Sequence, residues 1–196
     1  MLLRRRDIGL RGVHNVENVL AAVTAARLVG VEPEAMAEGV RSFAGVEHRI
    51  EYVATVDGVE YFNDSKATNV DAALKALDAF SGNVIVILGG KDKGCDYAIL
   101  QDTLREHARS VLLIGSSAEK IESQLAGAVP VEHAGTLARA VEIAAEVAKP
   151  GDTVLLSPAC ASFDQFDNYE HRGRVFKQLV RALVQKNAAG EPARKA

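Results

Sequence analysis

The period of the hydrophobic positions changes close to residue 47. Before that point "VHNVENVLAAVTAARLVG" sets Val16, Val19, Leu20, Val23 and Ala26 on one helical stripe, and Gly30 supplies a stop signal. "EPEAMAEGVRSF" follows, with Pro33 near a helix start and Met36, Val40 and Phe43 on one face. The two segments predict an αα hairpin whose first helix packs its stripe on a neighbour. "GVEHR" breaks the pattern, and "IEYVATVDGVEYFND" reads as two β-runs about Asp57-Gly58, a strong hairpin signal.

From there strand and helix alternate. "NVIVILGG" is a continuous apolar strand, "YAILQDTLREHA" a helix, "SVLLIG" a strand and "SAEKIESQLAG" a helix. "PVEHA" is a shorter, weaker strand, "TLARAVEIAAEVA" aligns Leu137, Ala140, Val141, Ala144 and Ala148 on a helix, and "TVLLSP" is a last strand before a helix from about His171. Apolar strands separated by amphipathic helices predict a doubly wound α/β domain, its mostly parallel sheet covered on both faces. The expected organisation is the hairpin over 1–46, the α/β domain over 47–187 and a disordered tail over 188–196, where Ala, Gly, Pro and charge show no periodicity.

Composition narrows the function classes. A formal charge of −3 over 196 residues gives no basic surface for nucleic acid or for an anionic membrane. No apolar run reaches the roughly 18 residues of a membrane helix, and "MLLRRRDIGL" lacks the apolar core and cleavage site of a secretory signal, so a soluble cytoplasmic protein is expected. Cys95 and Cys160 have no CxxC spacing, and His14, His48, His107, His133 and His171 show no HxxxH or HExxH pattern. A protein-built metal site is therefore not expected.

The candidate chemistry lies in loops that follow strands. "NDSKATN" comes after Tyr61-Phe62, "GGKDKGCD" after the strand ending at Leu88, and "SPACASFDQFDNYEHRG" after Leu156. In an open parallel sheet such loops share one rim, beside helix N-termini, where ligands bind. Each also has a plain reading. Asn69 suits a helix N-cap, Asp64 and Ser65 suit turn amides, and Lys66 suits solvent; alternatively Asp64 and Lys66 suit a ribose hydroxyl and an anion. Gly89 and Gly94 have the spacing of a GxxxxGK[ST] phosphate loop, but Cys95 and Asp96 follow where Lys and Ser/Thr belong, which excludes a Walker A there. Lys91 and Lys93 are then either a solvated turn or a carboxylate-binding loop. The third loop, about 15 residues long, is either functional or an Ω-loop packing Phe163, Phe166 and Tyr169 on the core, with Cys160 as buried filler. Asn15 reads as an N-cap, which leaves His14 and Asn18 unexplained, and Arg49 is either a surface charge or a phosphate reader in an interdomain cleft.

Taken in order, "GVHNVENVLAA", "HRIE", "FNDSKATN", "GGKDKGCD" and "LLSPACASFDQF" resemble the Mur ligases, and most closely the branch that adds D-glutamate to UDP-N-acetylmuramoyl-L-alanine in peptidoglycan synthesis. The likeness runs to about residue 186. "NDSKATN" and "SPACASFDQF" carry the D-glutamate branch, while "HNVEN" and "HR" are shared more widely. The resemblance implies a Rossmann-like C-terminal domain preceded by the last helices of a central ATPase domain. It implies ATP with Mg2+ as cofactors, and D-glutamate and the UDP-sugar as partners. Asn15 and Asn18 match residues at the adenine, Asp64 the acid on the ribose and Arg49 the arginine at the phosphates. Lys66, Thr68, Lys93, Ser162, Phe163 and Tyr169 fall where the family holds D-glutamate, with Phe163 and Tyr169 standing where a familiar member has Leu and Phe.

In the family mechanism ATP phosphorylates a carboxylate and the D-glutamate amine attacks the acyl phosphate. The phosphate loop, the metal ligands and a modified lysine belong to parts of the family not present in this sequence. The residues here are thus expected to bind and orient, with no catalytic and no metal-ligating residue among them, and the chain alone to be inactive. Two other readings stay open: another ATP-dependent amide ligase, such as folylpolyglutamate synthase or a different Mur ligase, and an autonomous Rossmann-like binding module. The latter lacks a GxGxxG fingerprint.

Overall fold

The computed structural model describes residues 3–188. It divides into two compact units, Met1–Glu47 and His48–Ala196. The first holds α1 (Val13–Leu28) and α2 (Pro33–Ser42). Gly12, not Asn15, is the N-cap of α1: its φ of 89° is open to glycine, and Asn15 lies inside the first turn, donating to the Arg11 carbonyl at 2.7 Å. The expected apolar stripe is only half covered. No residue of α1 is buried, and Leu20 is 61% exposed, whereas Met36 and Ala37 of α2 are buried.

In the second unit β1 (Glu51–Val56) and β2 (Val59–Asn63) form the expected antiparallel hairpin. Asp57 and Gly58 both have positive φ, 51° and 78°, the signature of the tight turn that matches strand twist. There follow α3 (Val70–Leu77), β3 (Val84–Gly89), α4 (Gln101–His107), β4 (Ala108–Ile114), α5 (Ala118–Leu125), β5 (Val131–Gly135), α6 (Leu137–Val147), β6 (Thr153–Leu156) and α7 (Tyr169–Ala188). The six strands make one sheet in the order β1-β2-β6-β3-β4-β5, parallel from β2 onward. The expected doubly wound α/β fold is therefore present.

Strand order explains the layers. From β2 to β5 the chain moves in one direction across the sheet, and right-handed crossovers put α3, α4 and α5 on one face. Their Ala73, Leu77, Leu104, Ile121 and Leu125 pack against Val84, Val86, Leu88, Val111 and Leu113. The return from β5 to β6 reverses direction, so α6 crosses on the opposite face. There Leu137, Val141 and Ala144 join Phe176 and Val180 of α7 over Ile85, Ile87, Leu112, Val154 and Leu156. β3, buried at every position, is the apolar run read from the sequence; β5 is an edge strand with exposed Glu132 and His133, which accounts for its weak signal.

Several boundaries differ from expectation. Ala108 leaves the helix pattern because it pairs with Val84 at the start of β4. Tyr169 opens α7, so the third loop ends two residues sooner. Ala188 closes the same helix, so the expected tail cannot start there; residues 189–196 lie outside the described residues. Among the described residues no helix is long and apolar enough to cross a membrane.

Candidate ligand-binding rim

β2, β6 and β3 are adjacent and parallel, so their following loops emerge on one rim. The loops after β2 and β3 lead to helices on one face and the loop after β6 to a helix on the other. Strand order reverses at this point, the position at which open parallel sheets bind their ligands. Backbone bonds tie the loops together: the Asp64 amide donates to the Leu156 carbonyl at 2.8 Å, Gly89 to Pro158 at 2.8 Å and Lys91 to Ala161 at 2.8 Å. Gly90 sits where the loops after β3 and β6 meet, with φ at 142°; a Cβ there would lie 2.3 Å from the Ala161 carbonyl oxygen.

A residue that sequence reasoning missed locks this arrangement. Arg172, on the first turn of α7, has no exposed surface. Its Nε donates to the Ser65 hydroxyl at 3.0 Å and its Nη2 to the Ser65 carbonyl at 2.9 Å, while Nη1 and Nη2 each reach the Cys160 carbonyl at 3.2 Å. One guanidinium thus joins the loop after β2 to the loop after β6. Burial pulls its pKa down to about 10, partly offset by Cys160, Asp164 and Asp64 nearby.

Asp64 is buried, and both of its oxygens are used. Oδ1 accepts from the Ile50 amide at 3.2 Å and Oδ2 from the Ser157 hydroxyl at 2.9 Å. Burial pushes its pKa up to about 7, against the opposing pull of these bonds and of Arg49 and Arg172. The amide inside its own loop is met by Asn63 instead, whose Oδ1 accepts from the Ser65 amide at 3.2 Å, while the Asp64 side chain reaches across to the turn at Arg49. Exposed Arg49 stands between two residues with positive φ, His48 at 66° and Ile50 at 42°, and their amides are held by the Glu51 and Asp64 carboxylates. Glu51 is itself anchored by Lys177 at 2.9 Å and Asn63 at 2.9 Å. The turn presenting Arg49 is pinned from both sides.

Of the remaining sequence candidates, Lys66 and Tyr169 come together. The half-buried ammonium donates to the Tyr169 hydroxyl at 3.0 Å and lies 4.7 Å from the ring centroid. Thr68 is half-buried on the same loop, and the next residue but one begins α3, where Asn69 caps the helix by accepting from the Ala72 amide at 2.8 Å. Ser162 is buried, its carbonyl accepting from Gln165 and Phe166, whereas Phe163 is 67% exposed. The Ω-loop reading thus fails for Phe163 and holds for Phe166, which packs on the core. Lys93 is exposed and makes no ion pair among the described residues. Asn15 and Asn18 belong to the first unit, their side chains 3.4 Å apart.

The loop carrying Lys93 has an internal skeleton invisible to motif reading. Asp92 Oδ2 accepts from Lys120 Nζ at 2.7 Å, and Oδ1 accepts from the Tyr97 hydroxyl at 2.8 Å and the Cys95 amide at 3.2 Å. The Lys120 bond leads in drawing the Asp92 pKa down to about 2. The Tyr97 hydroxyl also lies 2.9 Å from Cys160 Sγ. Cys160 is buried and its thiol is pushed up by burial, in keeping with packing and not with nucleophilic chemistry.

The family model for the "Mur ligase, glutamate ligase domain" matches residues 48–160, more than half of the chain. The chain belongs to the Mur ligase family. Over 187 residues it is 60% identical to the UDP-N-acetylmuramoylalanine--D-glutamate ligase of Solibacter usitatus, covering 95% of this chain and 42% of that protein. It is 58% identical over 179 residues to the protein of the same name from Koribacter versatilis, covering 91% and 39%. The chain thus spans about two fifths of the length of these curated relatives. Among solved structures, the Mur ligase fold recurs in the UDP-N-acetylmuramate-alanine ligase of Thermotoga maritima at a TM-score of 0.67 and 17% identity, over 88% of this chain and 39% of that one. It recurs in the Mycobacterium tuberculosis folylpolyglutamate synthase complexed with ADP at 0.63 and 18% identity, over 88% and 41%.

Proposed function

We propose that this Mur ligase chain is the D-glutamate- and nucleotide-facing portion of an ATP-dependent ligase that joins D-glutamate to UDP-N-acetylmuramoyl-L-alanine. The observation that carries the reading is the 60% identity to a D-glutamate ligase along 95% of the chain. It favours this over folylpolyglutamate synthase, to which the likeness is one of fold at 18% identity. An autonomous binding module is disfavoured by the same extended identity. In this reading the ligase draws on ATP and works in the cytoplasm.

In this reading Arg49 faces the nucleotide phosphates, Asn15 and Asn18 the adenine, and Asp64 the ribose. Asp64 retains lone pairs for one further donor, but its first duty is to hold the Arg49 turn. Lys66 and Lys93 supply two ammonium groups, and Thr68 and Ser162 two hydroxyls, to the two carboxylates of D-glutamate; Phe163 and Tyr169 flank the carbon chain. The chemical contribution is positioning: the amine is presented to an acyl phosphate with its carboxylates neutralised. ATP supplies the activation of the acceptor carboxylate when bound. For Mg2+ the rim is a poor match, since Asp92 is paired with Lys120, Glu51 with Lys177, and Asp64 is a single buried carboxylate already holding the Ile50 amide and the Ser157 hydroxyl. No step is assigned to the metal.

The test is a graft. Residues 13–187 replace the matching segment of the Solibacter usitatus enzyme, and phosphate release is followed with the UDP-linked acceptor. Release that depends on D-glutamate and not on L-glutamate is expected, while the 196-residue polypeptide alone gives none. A graft that folds, binds ATP and accepts neither enantiomer contradicts the reading.

A further inference from the structure

The Lys93 loop is short of the usual sources of order. Residues 91–97 form no helix or strand of their own, Gly94 has a φ of 80°, and Lys93 at the tip is exposed. Its shape is nevertheless over-determined. The Lys91 amide is bridged to Ala161 at 2.8 Å on one side, and the Tyr97 amide to Gln124 Oε1 at 2.8 Å on the other. Between these two anchors one side chain gathers the loop from within. Asp92 takes an ammonium from α5, a phenol from Tyr97 and a backbone amide from Cys95. Lys120 also lies 5.4 Å from the Tyr97 ring centroid, so cation, carboxylate and phenol form one unit.

We propose that Asp92, held by Lys120 and Tyr97, is a positioning residue that fixes the turn carrying Lys93 and thereby sets the affinity for a dicarboxylate amino acid. The proposal rests on the reading of Lys93 as a ligand group given above. Asp92 and Lys93 are adjacent in sequence but opposite in role. Asp92 turns inward, 28% exposed and fully partnered, and Lys93 turns out to the rim. An anion next to a carboxylate-binding lysine works against the ligand electrostatically. A purely electrostatic account therefore predicts that removing the Asp92 charge strengthens dicarboxylate binding. A positioning role predicts the opposite sign.

The experiment uses the isotope-labelled polypeptide and D-glutamate as probe. In Asp92→Asn the Cys95 amide exchanges with solvent about tenfold faster, and D-glutamate binds about tenfold more weakly. Lys120→Met shifts both in the same direction by less, and Lys120→Arg restores them. The double variant Asp92→Asn with Lys93→Ala binds no more weakly than Lys93→Ala, because Asp92 acts through Lys93. D-glutamate binding that is unchanged or tighter in Asp92→Asn overturns the proposal, as does an unaltered Cys95 amide. If Lys93→Ala itself leaves D-glutamate binding intact, the ligand reading of Lys93 falls and the proposal with it; an unaltered Cys95 amide beside a damaging Lys93→Ala sinks the proposal alone.

Discussion

Arg172 grips Ser65 twice, through the hydroxyl at 3.0 Å and the carbonyl at 2.9 Å. The same guanidinium satisfies the Cys160 carbonyl, so its removal would leave buried acceptors on two loops without a donor. Losing the desolvation cost of the cation offsets part of this. Arg172→Met should therefore lower stability by about 2–4 kcal/mol, and Arg172→Lys, which cannot fork, by a similar amount. Urea unfolding measures both. Losses below about 0.5 kcal/mol would show that the clamp is dispensable.

Asp64 makes a pH-dependent contribution of definite sign. Its pKa is raised from 3.8 to about 7 in the folded protein, so between these values the native state binds more protons than the unfolded chain. Its contribution is complete below about pH 4 and is lost as pH rises through about 7. Stability of the natural protein minus that of Asp64→Asn should thus fall between those limits. A difference that rises with pH would mean that the hydrogen bonds to the carboxylate outweigh its burial.

Gly90 offers a test of the bridge between the lysine loop and the loop after β6. A Cβ at this position meets the Ala161 carbonyl at 2.3 Å and Arg172 Nη1 at 3.2 Å, on a backbone with φ of 142°. Gly90→Ala should cost about 2–4 kcal/mol by thermal or urea unfolding. It should also broaden the amide signals of residues 91–97. A well-folded variant with natural stability would show that the loops are not held in register there.

What could be read from the sequence follows physical range. The Asp57-Gly58 turn, the uninterrupted β3 and the Asn69 cap depend on neighbours a few residues away, and all three are present. The placing of three polar loops on one rim followed from strand-helix alternation alone. Arg172 was silent because an arginine in an amphipathic helix reads as surface, and its partner Ser65 lies 107 residues earlier. The Asp92 to Lys120 pair spans 28 residues for the same reason. The order β2-β6-β3, which brings the three loops side by side, is not encoded in any local pattern. The half-covered stripe of α1 shows the converse limit, since periodicity announces an apolar face without saying what covers it.

D-glutamate titration into the labelled polypeptide, followed by backbone amide shifts, tests the assignment of the rim most directly. Exposed charge pairs contribute only about 0–1 kcal/mol each, so a dissociation constant of about 1 mM is expected. Shifts should be confined to residues 63–69, 89–97 and 157–169, be weaker with L-glutamate and need several-fold more D-glutamate in Lys93→Ala. The absence of any shift at about 50 mM, or equal shifts with both enantiomers, would contradict the account.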